Sequence, residues 1–320
     1  MLNQRTLKDT IEFEGIALHS GEMVEVKIHP APANTGIRFV RSDIDTSFEI
    51  LANPKSVVDT TLSTRIGKGS AQISTIEHLM AAFYGLGIDN AIVEVDNIEI
   101  PVLDGSSVPY LTLMDEVGVE EQNEPKKIIE ITKTIEILDD KDPTKFIRIE
   151  PSKGASITYG IDYPHAPSIG VQNVRMDYTP TSFLEQCSFA RTFGLFTEVD
   201  YLRSIGLAKG GSMENAVVFH PQDGVMNSEG LRNELECVRH KVLDCVGDLM
   251  LLGAHVQGDI YANKGSHELH TKLALAIEQQ TDARRYVVPS AAPSLVNLLG
   301  QIPKSLEEVR ERMVGSLAFG

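Results

Sequence analysis

Apolar and polar residues alternate through much of the first third of the chain, a pattern that predicts strands with one buried face. The predicted strands of this part are residues 10–18, 23–29, 37–41 and 90–95. Apolar residues recur at helical spacing in two further segments, which predicts helices at residues 74–84 and 110–117. Gly85 and Gly87 end the first of these helices.

The rest of the chain repeats this order of strands followed by helices. Strands are predicted at residues 127–137, 146–151, 156–163 and 254–261, and helices at residues 180–187, 198–204, 231–252 and 267–279. In both halves one helix carries a histidine, ends near a Leu-Gly pair and leads into a strand, which indicates an internal two-fold repeat. Because strands and helices do not alternate in regular βαβ units, the pattern predicts an α+β fold.

A charged segment without periodicity separates the two halves. Residues 120–127 (EEQNEPKK) contain Pro125 and are typical of a linker. The chain of 320 residues is long enough for two domains of roughly 150 residues each. We therefore predict an N-terminal α+β domain (1–122), a linker (123–127), a C-terminal α+β domain (128–300) and a tail (301–320).

The overall charge and the cysteine content limit the classes of function. The formal net charge is −16, so a phosphate backbone is repelled on average and nucleic acid is not an expected partner. The three cysteines form no CxxC pair, and an odd number favours a reducing compartment over a disulfide framework. The N-terminus lacks the apolar run of a signal peptide, and no apolar stretch approaches the roughly 20 residues that span a bilayer. These observations predict a cytoplasmic protein without stable membrane insertion.

The helix predicted at residues 231–252 carries the strongest candidate for a metal site. His240, Asp244 and Asp248 follow one another at intervals of four and form a polar stripe away from the apolar face of the helix. His240 and Asp244 could then bind one ion together, with Asp248 orienting a neighbouring group. The same spacing also fits a solvated helix face with His–Asp pairs.

Two other fragments offer acid–base groups. In STIEHL, Glu77 precedes His78, and such a pair can supply a general base and a metal ligand. The same letters match a capping box, in which Glu77 would only reach back to the Ser74 N–H. His267 lies at the start of a predicted helix and can act as a proton donor, although ordinary surface and capping histidines also occur at such positions.

Longer fragments carry a resemblance to a known family. They include GIALHSGE (15–22), PAPANTGIRFVR (30–41), ISTIEHLMAA (73–82), IPVLDGS (100–106), ARTFG (190–194), GLAKGGS (206–212), EGLRNELECVRHKVLDCVGDL (229–249) and GSHELHTKLA (265–274). In this order they resemble the zinc deacetylases of lipid A biosynthesis, which act on UDP-3-O-acyl-N-acetylglucosamine. The resemblance covers about residues 1–280.

The resemblance implies a fold, a reaction and a set of residue roles. The implied fold is α+β, with two similar layered domains of sheet and helices and the active site between them. The implied reaction converts an N-acetyl group into a free amine and acetate with one Zn²⁺ per chain, and Fe²⁺ can occupy the same ligands. The positions that match the family's zinc ligands are His78, His240 and Asp244. The matching catalytic positions are Glu77 (general base), His267 (general acid), Asp248 (support of that acid) and Thr192 (oxyanion).

Contacts with the substrate are predicted at five further positions. Lys241 matches a residue near the nucleotide phosphates, and Tyr163 and Leu62 are candidate substrate contacts. The region 193–219, which includes Phe193 and the flexible Gly211, is a candidate wall for the acyl chain, although ordinary packing of a small helix explains it equally well. The expected partner is an acylated UDP-sugar, bound by a monomer.

Other functions stay open on the sequence alone. A different zinc amidohydrolase would act on another acetylated sugar or a polyamine. A metal-binding or lipid-binding module without catalysis would need neither Glu77 nor His267. A purely structural duplicated domain would bind no zinc. A requirement for both the UDP group and the acyl chain of the substrate distinguishes these functions from the deacetylase.

Overall fold

Two five-stranded sheets and the helices packed with them form the frame of the molecule. The computed structural model describes residues 2–44, 49–288, 302–303 and 305–307. Within these residues, apolar side chains from both halves of the chain join one continuous buried cluster. Burial of this apolar surface is the main favourable term in folding.

The first half of the described chain is mostly extended. Its strands are β1 (Asn3–Leu7), β2 (Ile11–Ile16), β3 (Met23–Pro30), β4 (Ile37–Arg41), β5 (Glu49–Leu51), β6 (Val57–Asp59), β7 (Arg65–Lys68), β8 (Ala71–Ile73), β9 (Ala91–Val95) and β10 (Val119–Pro125). A 3₁₀ turn at Pro54–Ser56 separates β5 from β6. The helices of this half are α1 (Glu77–Leu86) and α2 (Val108–Val117).

The second half contains strands and longer helices. Its strands are β11 (Ile128–Ile131), β12 (Ile135–Leu138), β13 (Phe146–Glu150), β14 (Ser156–Tyr163), β15 (Gly170–Asp177), β16 (Phe193–Leu195), β17 (Val217–His220), β18 (Gly224–Val225), β19 (His255–Gln257), β20 (Asp259–Asn263) and β21 (Arg284–Val287). Its helices are α3 (Pro180–Gln186), α4 (Phe196–Ser204), α5 (Glu236–Met250) and α6 (His267–Gln279). The helices predicted from the sequence are therefore confirmed, although α1 and α5 begin later than predicted.

The two five-stranded sheets have the same strand order. The first runs β2-β3-β9-β4-β5 and the second runs β12-β13-β20-β14-β15. In each sheet the middle strand is parallel to the fourth strand, and every other pair is antiparallel. This common topology agrees with the internal repeat, and the α+β fold class predicted from the sequence is confirmed.

The junction between the halves is partly a strand. Residues 123–125 of the predicted linker belong to β10, which pairs antiparallel with β1. The side chains of β10 are mostly exposed, and backbone hydrogen bonds define the strand. The single strand predicted at residues 127–137 is in fact two strands, since β11 and β12 belong to different sheets.

The division into domains stays a prediction. The boundary at residues 123–127 falls within and just after β10. Residues 289–300 of the predicted C-terminal domain and most of the predicted tail at 301–320 lie outside the described residues.

Candidate active site

Helices α1 and α5 cross in close contact at Gly247. A β-carbon placed on Gly247 would lie 2.0 Å from the backbone oxygen of Glu77, so only glycine lets the two helices come this near. Helix α1 precedes the middle strand of the first sheet, and α5 precedes β19 and the middle strand of the second. The crossing therefore brings side chains from the two halves of the chain to one place.

His78 of α1 lies beside His240 and Asp244 of α5. The Nε2 atoms of His78 and His240 are 3.5 Å and 3.3 Å from Oδ1 of Asp244. The two imidazole rings are 5.0 Å apart and nearly perpendicular, at 83°. All three side chains are buried, so the interpretation of a solvated helix face is wrong. Within the described residues, this group is close enough to hold one metal ion.

The hydrogen bonds around this cluster leave Nε2 of His240 and Oδ1 of Asp244, which face each other, available to bind an ion. Nδ1 of His240 lies 3.0 Å from the backbone oxygen of Ala190, which places the proton on Nδ1 and a lone pair on Nε2. Burial lowers the pKa of His240 to about 3, so the ring is neutral at neutral pH. Oδ1 of Asp244 is buried and has no hydrogen-bond partner in the described part of the chain. Two imidazoles and a carboxylate that converge in this way fit the ligands of a divalent metal ion.

Glu77 is the first residue of α1 and is buried. Its Oε2 accepts a hydrogen bond from the backbone N–H of Thr64 at 3.0 Å. The capping-box interpretation is wrong, because Ile76 is the N-cap of α1 and the Ser74 N–H donates to the backbone oxygen of Ile98. Burial raises the pKa of Glu77, since the charged carboxylate loses its hydration, and a carboxylate with a raised pKa is a stronger base.

His267 is the first residue of α6, and Ser266 caps this helix by accepting from the Leu269 N–H. Nδ1 of His267 lies 2.8 Å from Oδ2 of Asp248, and its Nε2 lies 4.0 Å from Oε1 of Glu77. Burial disfavours the charged ring, but the negative charge of Asp248 outweighs it and raises the pKa of His267 to about 9. His267 is thus a buried, protonated group, and the interpretation of a surface or capping histidine is wrong.

Two groups that the sequence did not indicate also contact Asp248. The Thr64 hydroxyl donates to Oδ1 of Asp248, and Nδ1 of His270 lies 2.8 Å from Oδ2 of the same carboxylate. The spacing of three residues between His267 and His270 puts both on one face of α6, and this was the available signal. Thr64 offers no comparable signal, because its partner is 184 positions away.

An aromatic and basic group lies next to His240. The ring of Phe193 is 6.1 Å from the His240 ring and 5.6 Å from the ring of Tyr163. Nζ of Lys241 lies 5.5 Å from the centre of the Phe193 ring and 2.8 Å from Oδ2 of Asp244. Three of the predicted substrate contacts therefore lie together, beside two of the predicted metal ligands.

The remaining predicted site residues lie in loops. Thr192 precedes β16, and its N–H donates to the backbone oxygen of Gly105 at 2.8 Å. Gly211 belongs to a loop that packs on the turn after β2, where Gly210 donates to a backbone oxygen of that turn. Leu62 is 50% exposed and has a left-handed backbone, with φ of 62°. The roles of Thr192, Gly211 and Leu62 stay predictions.

Helix α4 exposes large apolar side chains. None of its residues is buried, and Phe196 and Tyr201 are 51% and 66% exposed. Core packing therefore does not explain the exposed position of these side chains. The acyl-chain wall at residues 193–219 stays a prediction. None of the helices in the described part of the chain is both long and apolar enough to span a membrane.

Comparison with known proteins gives a consistent result. Residues 4–279 match the model of a family described as UDP-3-O-acyl N-acetylglycosamine deacetylase. The chain is 46% identical over 288 residues to the UDP-3-O-acyl-N-acetylglucosamine deacetylase of Acidithiobacillus ferrooxidans, covering 90% of this chain and 93% of the relative. It is 44% identical over 291 residues to the protein of the same name from Helicobacter pylori strain 26695, covering 91% and 96%. It is also 44% identical over 284 residues to that from Teredinibacter turnerae, covering 88% and 92%.

Proposed function

The chain belongs to the family of UDP-3-O-acyl N-acetylglycosamine deacetylases, and from this premise we propose that it removes the N-acetyl group from a UDP-3-O-acyl-N-acetylglucosamine. The reaction adds water across an amide bond and yields acetate and a free amine. We place this step in lipid A biosynthesis, in the cytoplasm, and carried out by a monomer.

One observation carries this proposal: the two halves of the chain contribute to a single buried cluster. His78 comes from α1, whereas His240 and Asp244 come from α5. A site that only stores a metal ion needs these ligands and nothing more. The buried carboxylate of Glu77 and the protonated ring of His267, 4.0 Å apart, are needed only if the site moves protons.

We propose that the three converging donors hold one Zn²⁺ per chain. Two histidines and one carboxylate with an open fourth position are typical of catalytic zinc, and Fe²⁺ is accommodated by similar ligands. When bound, the ion polarises the acetamide carbonyl and makes a water molecule more acidic. Asp248 lies one turn further along α5 and is not among the ligands, because both of its oxygens accept hydrogen bonds.

The other residues handle the protons of the reaction. Glu77 takes a proton from the attacking water as the water oxygen bonds to the carbonyl carbon. The Thr192 hydroxyl donates to the carbonyl oxygen, which gains negative charge at this point. His267 then gives the proton on Nε2 to the nitrogen while the C–N bond breaks, so the leaving group departs as a neutral amine. Asp248 keeps Nδ1 of His267 bonded and thereby aims Nε2 at the reacting nitrogen.

The substrate is held by the groups around His240. Lys241 contributes a positive charge for the diphosphate, since the pKa of its ammonium is raised by Asp244 against the effect of burial. Phe193 and Tyr163 form an aromatic surface beside it. Helix α4 supplies exposed apolar side chains for the acyl chain, and Leu62, also exposed, supplies a further contact with the substrate. Gly211 lies against α4, where its backbone oxygen accepts from Arg203.

The test is an assay of acetate release, with the metal content measured on the same sample. The proposal expects turnover of UDP-3-O-acyl-N-acetylglucosamine and little or none of N-acetylglucosamine or of UDP-N-acetylglucosamine without the acyl chain. Equal turnover of the unacylated sugar would instead support an amidohydrolase for another acetylated sugar. A metal-loaded protein that releases no acetate from any of them would contradict catalysis.

Replacement of His240 with alanine is expected to remove the bound metal. The change deletes one of three ligands and leaves the carboxylate of Asp244 with one imidazole. Elemental analysis should find far less than one equivalent of metal per chain. His165→Ala, at an exposed position, is the matched control and should keep the parental content. One full equivalent in His240→Ala would contradict the ligand assignment.

The value of kcat/KM for deacetylation is expected to fall as the pH rises through about 9. The pKa of His267 is raised to that value by Asp248, so the ring keeps its proton below pH 9 and loses it above. Replacing Asp248 with asparagine removes the negative charge and should move the alkaline limb of kcat/KM to lower pH. An alkaline limb that does not move in this variant would contradict the proton donor assigned here.

A further inference from the structure

The carboxylate of Asp248 bonds to two histidines through the same oxygen. Oδ2 lies 2.8 Å from Nδ1 of His267 and 2.8 Å from Nδ1 of His270. Only His267 faces Glu77, whereas His270 lies behind Asp248 and has no exposed surface. The proposed mechanism gives His270 no part, although its imidazole is as close to Asp248 as that of the proposed acid.

The direction of each hydrogen bond follows from the Asp248 carboxylate, whose pKa is lowered by His267 and His270 against the effect of burial, so it is ionised and can only accept. Nδ1 of His270 must therefore donate to Asp248, and in a neutral ring Nε2 is left with a lone pair. The Tyr159 hydroxyl lies 2.9 Å from this Nε2 and donates to it. Burial raises the pKa of Tyr159, so its hydroxyl keeps the proton that this bond needs. Burial also lowers the pKa of His270, in agreement with a neutral ring.

The backbone next to this bond leaves no space for a side chain. A β-carbon on Gly265 would lie 2.2 Å from the Tyr159 oxygen and 3.0 Å from Nε2 of His270. Tyr159 and His270 are both fully buried. The Tyr159–His270 bond is therefore enclosed between β14 and the loop before α6, and the His270 ring is fixed from both ends.

Hydrogen bonds, and not a metal ion, account for the close approach of the three side chains in this second cluster. Asp248, His267 and His270 are close enough to be considered as ligands. However, both Nδ1 atoms already lie at hydrogen-bond distance from one oxygen, and Nε2 of His270 is taken by Tyr159. An ion would have to displace the contacts that hold the proposed acid.

We propose that His270 is a positioning residue for the deacetylation: its Nδ1–H holds the Asp248 carboxylate in line with His267, and Tyr159 keeps His270 in the tautomer that can do so. The inference rests on the proposed role of His267 as the acid. A buried carboxylate needs several donors to stay ionised, and here it has the Thr64 hydroxyl and two imidazoles. Without the His270 donor, Asp248 would keep only the bonds to Thr64 and His267, so its carboxylate would be held less firmly and the charge on Oδ2 would act on His267 alone.

The groups that face His267 define what its titration should show. They are Asp248 and Asp244 from α5, Glu77 from α1, His270 from α6 and His19 from the turn after β2. The three carboxylates favour the charged ring, and the two histidines oppose it when they are protonated. Of these groups, only His270 shares the Asp248 oxygen with His267. Replacing His270 therefore changes the hydrogen bonds of Asp248 and leaves the proposed metal ligands and the proposed base in place.

The experiment compares three variants of the full-length, metal-loaded enzyme. In His270→Leu, kcat should fall about tenfold or more, since acid–base catalysis depends on the position of the donor, while KM stays within about twofold. The alkaline limb of kcat/KM should move to higher pH, because Asp248 then acts on His267 alone. His270→Asn restores an N–H at a similar position and should recover most of kcat. Tyr159→Phe keeps the bond to Asp248 and should show a smaller loss.

Several outcomes would overturn the inference. Parental kcat and an unmoved alkaline limb in His270→Leu would do so, as would a change in KM alone or an asparagine variant as impaired as the leucine variant. If His270→Leu does not fold, the proton NMR spectrum of the parent decides instead. A low-field N–H signal that disappears in His270→Asn and remains in Tyr159→Phe supports the bond, and its absence from the parent refutes it. A parent enzyme that releases no acetate would contradict the proposed function rather than this inference.

Discussion

Glu77→Gln is expected to lower kcat by about 10²–10⁴-fold while one equivalent of metal stays bound. Glutamine keeps the size of the side chain and an oxygen that can accept from the Thr64 N–H. The substitution removes the negative charge and with it the ability to act as a base, because an amide cannot take a proton from water. Glu77 is not one of the three converging ligands, so the metal content should be unaffected. Acetate release and elemental analysis on one preparation measure both quantities.

The matched control is Glu116→Gln, at an exposed position of α2. It makes the same chemical change away from the site and should leave kcat as in the parent. A Glu77→Gln enzyme that works at the parental rate would show that another group acts as the base. A variant that loses the metal as well would place Glu77 among the ligands.

Gly247→Ala is expected to destabilise the protein and to lower kcat by about 10²-fold or more. In the interior of a helix such as α5, replacing glycine with alanine ordinarily stabilises by about 1 kcal/mol. Here the new β-carbon would lie 2.0 Å from the backbone oxygen of Glu77, which cannot turn away as a side chain can. The two helices must separate, and His78 then moves relative to Asp244. Thermal unfolding, kcat and metal content measure these effects.

The control for this substitution is Gly154→Ala. A β-carbon on Gly154 would meet no atom within 4 Å, so the change should be nearly neutral for stability and activity. The sign of the stability change in Gly247→Ala is the decisive result. An increase in the melting temperature with full activity would mean that the helices tolerate a larger separation than the structure indicates.

The part of the candidate site that lies on α5 could be predicted from the sequence, because helical spacing is a local property. The intervals of four among His240, Asp244 and Asp248 place them on one side of α5 whatever surrounds that helix. Spacing alone does not distinguish a buried polar stripe on this helix from a solvated one. That distinction depends on α1, which packs against α5 from a segment more than 150 residues earlier.

Other features could not be predicted because they depend on contacts between distant segments. From the sequence alone, Gly247 is only a residue of low helix propensity. In the structure, its missing side chain lets the backbone of Glu77 approach α5. The fragment from Ser74 to Glu77 has the letters of a capping box, but the Thr64 N–H competes for the carboxylate and binds it. The charged residues of β10 do not alternate with apolar ones, so the sequence gives no sign of a strand there. The strand exists because its backbone pairs with β1.

The shared strand order of the two sheets has a consequence for the groups at the helix crossing. Helices α1 and α5 each lead toward the middle strand of one sheet, so they occupy comparable places beside two sheets of the same strand order. At the crossing, α1 carries a glutamate and a histidine, whereas α5 carries a histidine and two aspartates. Two similar arrangements of strands thus support different sets of reactive groups.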